Sequence, residues 1–241
     1  MNDAFANGTV GDIVATDFRA ARVFERFGID FCCGGRQSLA EACRAAAVDP
    51  QSVVRELEAL PPLENEDDDA SSWPLDRLID HIERTHHVYV RAALPRIREH
   101  LRRLVEVHGT RHSELSLVAE RFDRLNHDLT RHLLKEEQVL FPYVRELVVH
   151  AESDDRLVSP FGTIENPIQM MEREHSSAGD DLGTIRKLTH GYATPSDGCA
   201  TYSVCMAELQ EFEQDLHRHV HLENNILFPK AIALETGLLA P

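Results

Sequence analysis

A short phrase written twice constrains the fold of this chain more than any other feature. His132-Leu-Leu-Lys-Glu136 leads to Leu140-Phe141-Pro142, and His219-Val-His-Leu-Glu223 leads to Leu227-Phe228-Pro229. Residues four apart on an α-helix lie one above the other, so each copy aims an imidazole and a carboxylate at one point. Neutral nitrogen beside anionic oxygen suits a first-row metal. The repeat implies two metals, or one centre built from both halves.

The repeat extends upstream. His132 and His219 are 87 residues apart, and at an offset of 88 His87 maps onto His175, Leu94 onto Leu182 and Ile97 onto Ile185. Each half therefore reads as a helix with one histidine, a connection, and a helix with His-x-x-x-Glu. The offset selects His87 over its neighbour His86, which lies about 100° round the helix and is expected to face solvent or to support a ligand. Two such hairpins make an all-α four-helix bundle with ligands projecting inward from every helix. The helices are expected over about 74–107, 113–147, 166–191 and 200–234. Asn166-Pro167 has the form of an N-cap followed by proline. Pro142 and Pro229 are expected to kink or end their helices.

A single His-x-x-x-Glu pair is more often a surface pair than a ligand pair. Two copies in register with a further repeated histidine favour a metal centre on His87, His132, Glu136, His175, His219 and Glu223. Other histidines, among them His108, are expected at the surface or in caps, and His221 points away from His219. Glu137 has Asn224 at the matching place and is not expected to be a ligand. Four imidazoles exclude all-oxygen calcium or magnesium coordination, and the absence of cysteine removes the usual structural zinc site. The set suits two non-haem iron ions. If both glutamates bridge, each iron receives two nitrogens and two oxygens, leaving room for an oxo or hydroxo bridge and a small ligand such as NO or O₂. Manganese or a mixed pair fits the same donors.

Residues 1–60 read as a separate small helical domain. Thr9, Thr16-Asp17, the capping box Ser38-Leu-Ala-Glu41 and Asp49-Pro50 open its short helices. The segment 61–72, rich in proline and acid, is expected to be a linker to a bundle spanning 73–241. Inside the small domain, Phe31-Cys32-Cys33-Gly34-Gly35 admits two readings. Cys32 and Cys33 could hold a thiolate, activated by Arg36 and a helix N-terminus. Alternatively, they pack in a tight turn whose glycines supply positive φ. Cys43, Cys199 and Cys205 are expected to be small, part-buried core residues.

A formal charge of −16 opposes nucleic acid and anionic membrane as partners. The N-terminus lacks the form of a signal peptide. The five cysteines do not form a disulfide framework. A cytoplasmic location is the expectation.

The bundle resembles the haemerythrin-like domain. The whole layout resembles the repair-of-iron-centres family of bacterial di-iron proteins (the ScdA/YtfE type). The elements that carry the resemblance are Asp30-Phe31-Cys32-Cys33-Gly34-Gly35, Lys135-Glu136-Glu137 leading to Leu140-Phe141-Pro142, and His221-Leu-Glu223-Asn-Asn leading to Leu227-Phe228-Pro229. That family's four histidines and two bridging glutamates fall on the six residues named above. The resemblance implies repair of iron–sulfur clusters damaged by nitric oxide or oxidants, with iron donated from the centre. It also implies assistance from Cys32 and Cys33, and a homodimer. The alternative is a protein that binds, scavenges or reduces NO. A departure from the family is the long acidic segment 145–168.

Overall fold

The computed structural model describes residues 8–61, 70–151 and 159–239. Most of the expected linker 61–72 and the middle of the acidic segment 145–168 lie outside the described residues. The architecture is all-α, a bundle of four long helices with a small N-terminal helical domain. Among the described residues there is no strand, only an isolated bridge between Thr9 and Ser38.

Four short helices come first: α1 (Val10–Thr16), α2 (Ala20–Arg26), α3 (Leu39–Ala45) and α4 (Pro50–Glu58). Their starts follow local chemistry. Thr9 forms a capping box with Asp12, and Ser38 forms one with Glu41. Asp49 caps α4 with Pro50 at its first position. Asp17 accepts the Arg19 amide just ahead of α2.

The long helices are α5 (Leu75–His81, a π-helical turn Ile82–His87, then Val88–His108), α6 (Glu114–Lys135, a π turn Glu136–Leu140, then Phe141–Ala151), α7 (Glu165–Leu188) and α8 (Ala200–Leu222, a π turn Glu223–Leu227, then Phe228–Leu239). Pro142 and Pro229 do not end their helices, which removes one of the two alternatives expected of them. A proline mid-helix lacks a donor and crowds the carbonyl four residues back. Here the preceding turn is widened, and Phe141 and Phe228 bond back to the carbonyls of Glu136 and Glu223, five residues away. The helix passes through the proline.

α7 begins at Glu165, ahead of the expected Asn166 cap. Its first turn is held from outside: the buried Glu235 carboxylate accepts the Ile164 amide at 2.8 Å and the Thr163 hydroxyl at 2.9 Å. Asn166 and Pro167 therefore sit within the first turn, where backbone donors have no partner inside the helix.

The chain divides into two compact units. One contains 1–80, 144–165 and 218–241, and the other contains 81–143 and 166–217. Both are built on helical stripes. In the second unit, Val90, Leu94, Ile97, Leu101 and Leu104 of α5, Leu115, Val118, Phe122, Leu125 and Leu129 of α6, and Met171, Ala178, Leu182 and Ile185 of α7 are all buried. That three-to-four spacing is the core face of an amphipathic helix. His87, His132 and His175 lie on these same stripes, so core burial and inward aim of the histidines are one event.

Candidate metal centre

The π turns stand where the proposed ligands are. His87 closes the turn in α5, Glu136 opens the turn in α6 and Glu223 opens that in α8. All six candidate ligands are buried: His87, Glu136, His219 and Glu223 at 0 % exposure, His132 and His175 at 2 %.

Within the second unit, His132 Nε2 lies 3.2 Å from Glu136 Oε1, and His87 Nε2 lies 3.5 Å from Glu136 Oε2. His175 Nε2 stands 3.0 Å from His132 Nε2. Within the first unit, His219 Nε2 stands 3.0 Å from Glu223 Oε1, the expected one-turn pairing. Two clusters of potential ligand atoms emerge, one in each unit: His87, His132 and His175 around Glu136, and His219 with Glu223.

This donor set fits cations. Burying a carboxylate costs several kcal/mol per ion unless positive charge accompanies it, and a cation held by these side chains supplies that charge. Two imidazole nitrogens 3.0 Å apart, as in His132 and His175, require a shared proton or a shared cation.

Two carboxylates outside the candidate set orient the histidines. Glu137 takes His87 Nδ1 at 2.7 Å and Arg91 at 2.6 Å. Burial raises the Glu137 pKa, but the hydrogen bonds to Arg91 and His87 outweigh it and hold the carboxyl below its ordinary range. Glu174 takes His132 Nδ1 at 3.0 Å and also Lys135. The His132 hydrogen bond leads in pulling the Glu174 pKa down to about 2. An ionised carboxylate only accepts, so each Nδ1 carries the hydrogen and each Nε2 presents its lone pair inward. Neither glutamate repeats between the halves, so the repeat could not reveal them. His87 also stacks on Phe141, with centroids 5.7 Å apart at 18°.

His127 and His190 are exposed as expected, but three other histidines are buried. His86 is buried, with Nδ1 3.0 Å from Asp215 Oδ1. His108 is buried with Nε2 3.3 Å from Cys199 Sγ, and Cys199 itself is exposed rather than part of the core. His221 is fully buried between Phe18 and Phe31, and burial lowers its pKa to about 4.

The cysteine turn is clamped from α8. Asn224 Nδ2 donates to the Cys32 carbonyl at 3.3 Å, and Asn225 Nδ2 donates to the Phe31 carbonyl at 3.2 Å. A Cβ on Gly35 would meet Asn225 Oδ1 at 2.3 Å. Gly34 and Gly35 are absent from the positive-φ residues, so Gly35 serves close approach rather than a left-handed backbone. All five cysteines are free. The Cys32 pKa is raised, not lowered: the Cys33 hydrogen bond leads, followed by burial and Asp30.

Comparison with known proteins supplies independent findings. Residues 6–61 match the family model ScdA_N, described as a domain of unknown function (DUF542). Residues 78–231 match the haemerythrin HHE cation-binding domain. The chain is 32 % identical over 234 residues to the iron–sulfur cluster repair protein YtfE of Cronobacter sakazakii, covering 96 % of this chain and 99 % of that one. It is 32 % identical over 229 residues to YtfE of Dickeya chrysanthemi, covering 95 % and 98 %. A probable iron–sulfur cluster repair protein of Haemophilus influenzae is 30 % identical over 231 residues, with 95 % and 98 % covered. No helix among the described residues is long and apolar enough to cross a membrane.

Proposed function

This chain belongs to the iron–sulfur cluster repair family of haemerythrin-domain proteins, and from that membership we propose that it restores damaged iron–sulfur clusters by donating iron. The observation that carries the reading is the burial of every candidate donor: His87, His132 and His175 close around Glu136 in one unit, and His219 pairs with Glu223 in the other. As the sequence repeat implies, the four histidines and the two glutamates would together hold two irons, with both glutamates bridging. Two non-haem irons so held are the cargo, and damaged iron–sulfur proteins are the recipients.

The side chains suit temporary storage. The Nδ1 hydrogens of His87 and His132 are held by Glu137 and Glu174, so these two rings keep their aim when iron leaves. Burial of all six ligands excludes bulk water from the loaded centre. We assign the loading centre to residues 73–241 and a thiol role in repair to Cys32 and Cys33 of residues 1–60.

The test is transfer. Iron-loaded full-length protein, mixed with an enzyme whose cluster has been damaged by nitric oxide, should lose iron as the enzyme regains its cluster spectrum and activity. Glu136→Leu and Glu223→Leu should hold less iron and repair poorly while remaining helical. Cys32→Ser with Cys33→Ser should keep its iron and repair less. A protein that retains its iron, binds NO reversibly and leaves the cluster damaged would overturn the donor reading.

A further inference from the structure

The Cys32-Cys33 turn carries a third carboxylate-bearing group of metal donors. Asp30, Cys32 and Cys33 each offer an atom, all within 4.8 Å. The two sulfurs stand 3.9 Å apart as free thiols. Two thiolates bound at about 2.3 Å to one tetrahedral ion stand about 3.8 Å apart. The spacing is that of a chelating pair, and it is nearly twice the ~2.05 Å of a disulfide bond.

The carboxylate is already fixed for such a role. Asp30 Oδ1 accepts the backbone amides of Cys32 and Cys33, both at 3.0 Å, and lies 3.2 Å from Cys32 Sγ. The turn itself is pinned by Asn224 and Asn225 through the Phe31 and Cys32 carbonyls. Asp30 is exposed, Cys33 half-buried and Cys32 buried. The group therefore has one closed side and one side open to solvent.

We propose that Asp30, Cys32 and Cys33 form a second cation site, distinct from the histidine–glutamate centre, that takes one thiophilic divalent ion such as zinc(II) or iron(II). Two thiolates and one carboxylate provide three ligands, and the open side leaves the fourth position to water or to an incoming ligand. Three protein ligands with an open position characterise exchangeable sites, whereas closed structural sites have four. Binding displaces the two thiol protons to solvent and forms two metal–sulfur bonds, with no change of oxidation state. The Cys32 proton, held by its neighbours Cys33 and Asp30, is the one that the ion must displace against resistance. The site does not depend on the repair reading, because it concerns cation capture alone.

One equivalent of zinc(II) added to iron-loaded full-length protein, followed by X-ray absorption at the zinc edge, tests the assignment. The expected result is a sulfur shell at about 2.3 Å containing two scatterers. Cys33→Ser, a half-buried position, should reduce it to one, and the double serine variant should abolish it. Asp30→Asn should weaken zinc uptake in competition with a chromophoric chelator. A zinc shell of nitrogen and oxygen alone would overturn the proposal, as would a sulfur shell that survives the double variant. Unchanged uptake by Asp30→Asn would overturn the three-ligand site. Failure of cluster repair with an intact sulfur shell would count against the donor reading and leave this site standing.

Discussion

The carboxylate of Glu137 meets Nδ1 of His87 at 2.7 Å, and Glu137 is the immediate neighbour of Glu136, which lies 3.5 Å from the other nitrogen of the same ring. One imidazole is thus gripped from both sides by consecutive residues of α6. The π turn that Glu136 and Glu137 open lets two adjacent side chains reach one ring.

Glu137→Ala should lower metal affinity about 10- to 100-fold, because it removes the acceptor that fixes the tautomer and angle of His87. Competition with a chelator of known strength measures this. Unchanged affinity would reduce Glu137 to a surface partner of Arg91.

His87→Ala should lose metal, whereas His86→Ala should keep it and lose stability instead. The second change takes the buried His86 ring away from the half-buried Asp215 carboxylate, which typically costs about 1–3 kcal/mol. Metal analysis alongside urea unfolding separates the two effects. Metal loss from His86→Ala with retention by His87→Ala would mean that the repeat offset selects the wrong ring.

Glu235→Ala should destabilise the fold by about 1–3 kcal/mol while metal content stays level. Its carboxylate accepts the Ile164 amide and the Thr163 hydroxyl ahead of α7, and truncation leaves a buried amide unpaired. Denaturant midpoints compared at matched metal loading test this. A midpoint equal to the wild type would show that water replaces the carboxylate.

The His112–Asp197 pair sets a pH window. Its Nε2–Oδ1 distance is 3.0 Å, and the Asp197 hydrogen bond leads in raising the His112 pKa above 6.5. The same bond leads in lowering the Asp197 pKa below 3.8. A raised histidine stabilises the fold fully below its unfolded pKa and loses this as pH rises through its folded value. A lowered aspartate does so above its unfolded pKa and loses it as pH falls through its folded value. The advantage of wild type over Asp197→Asn in thermal unfolding should therefore be greatest between pH 3.8 and 6.5. A difference that does not vary with pH would show that the pair contributes no proton-linked stability.

The burial of the six proposed ligands was legible because His87, His132, Glu136, His175, His219 and Glu223 recur in register, and a recurrent spacing is readable without a structure. The features left unread are those in which the halves differ. Glu137 orients a ligand ring, but its counterpart Asn224 holds the Cys32 carbonyl instead. His221 is fully buried, while Leu134, its counterpart in the first copy, is exposed. Each half has been fitted to a different neighbour, and those neighbours are distant in sequence. At Pro142 and Pro229 the continuation of the helix went unread for another reason. Helical periodicity treats proline as a stop, and the wider turn that accommodates it leaves no residue-type signature.

Those wider turns make residue number a structural variable in its own right. A π turn takes up about one residue more than an α turn, so it advances the phase of everything after it by about 100°. Phe141 and Phe228, the first residues beyond two of these turns, are buried at that phase, Phe141 against His87. Deleting a single solvent-facing residue such as Val139 would let α6 revert to regular winding and swing Phe141 and Pro142 out of register. A deletion that removes no ligand and no core contact would then be more damaging than many substitutions within the core.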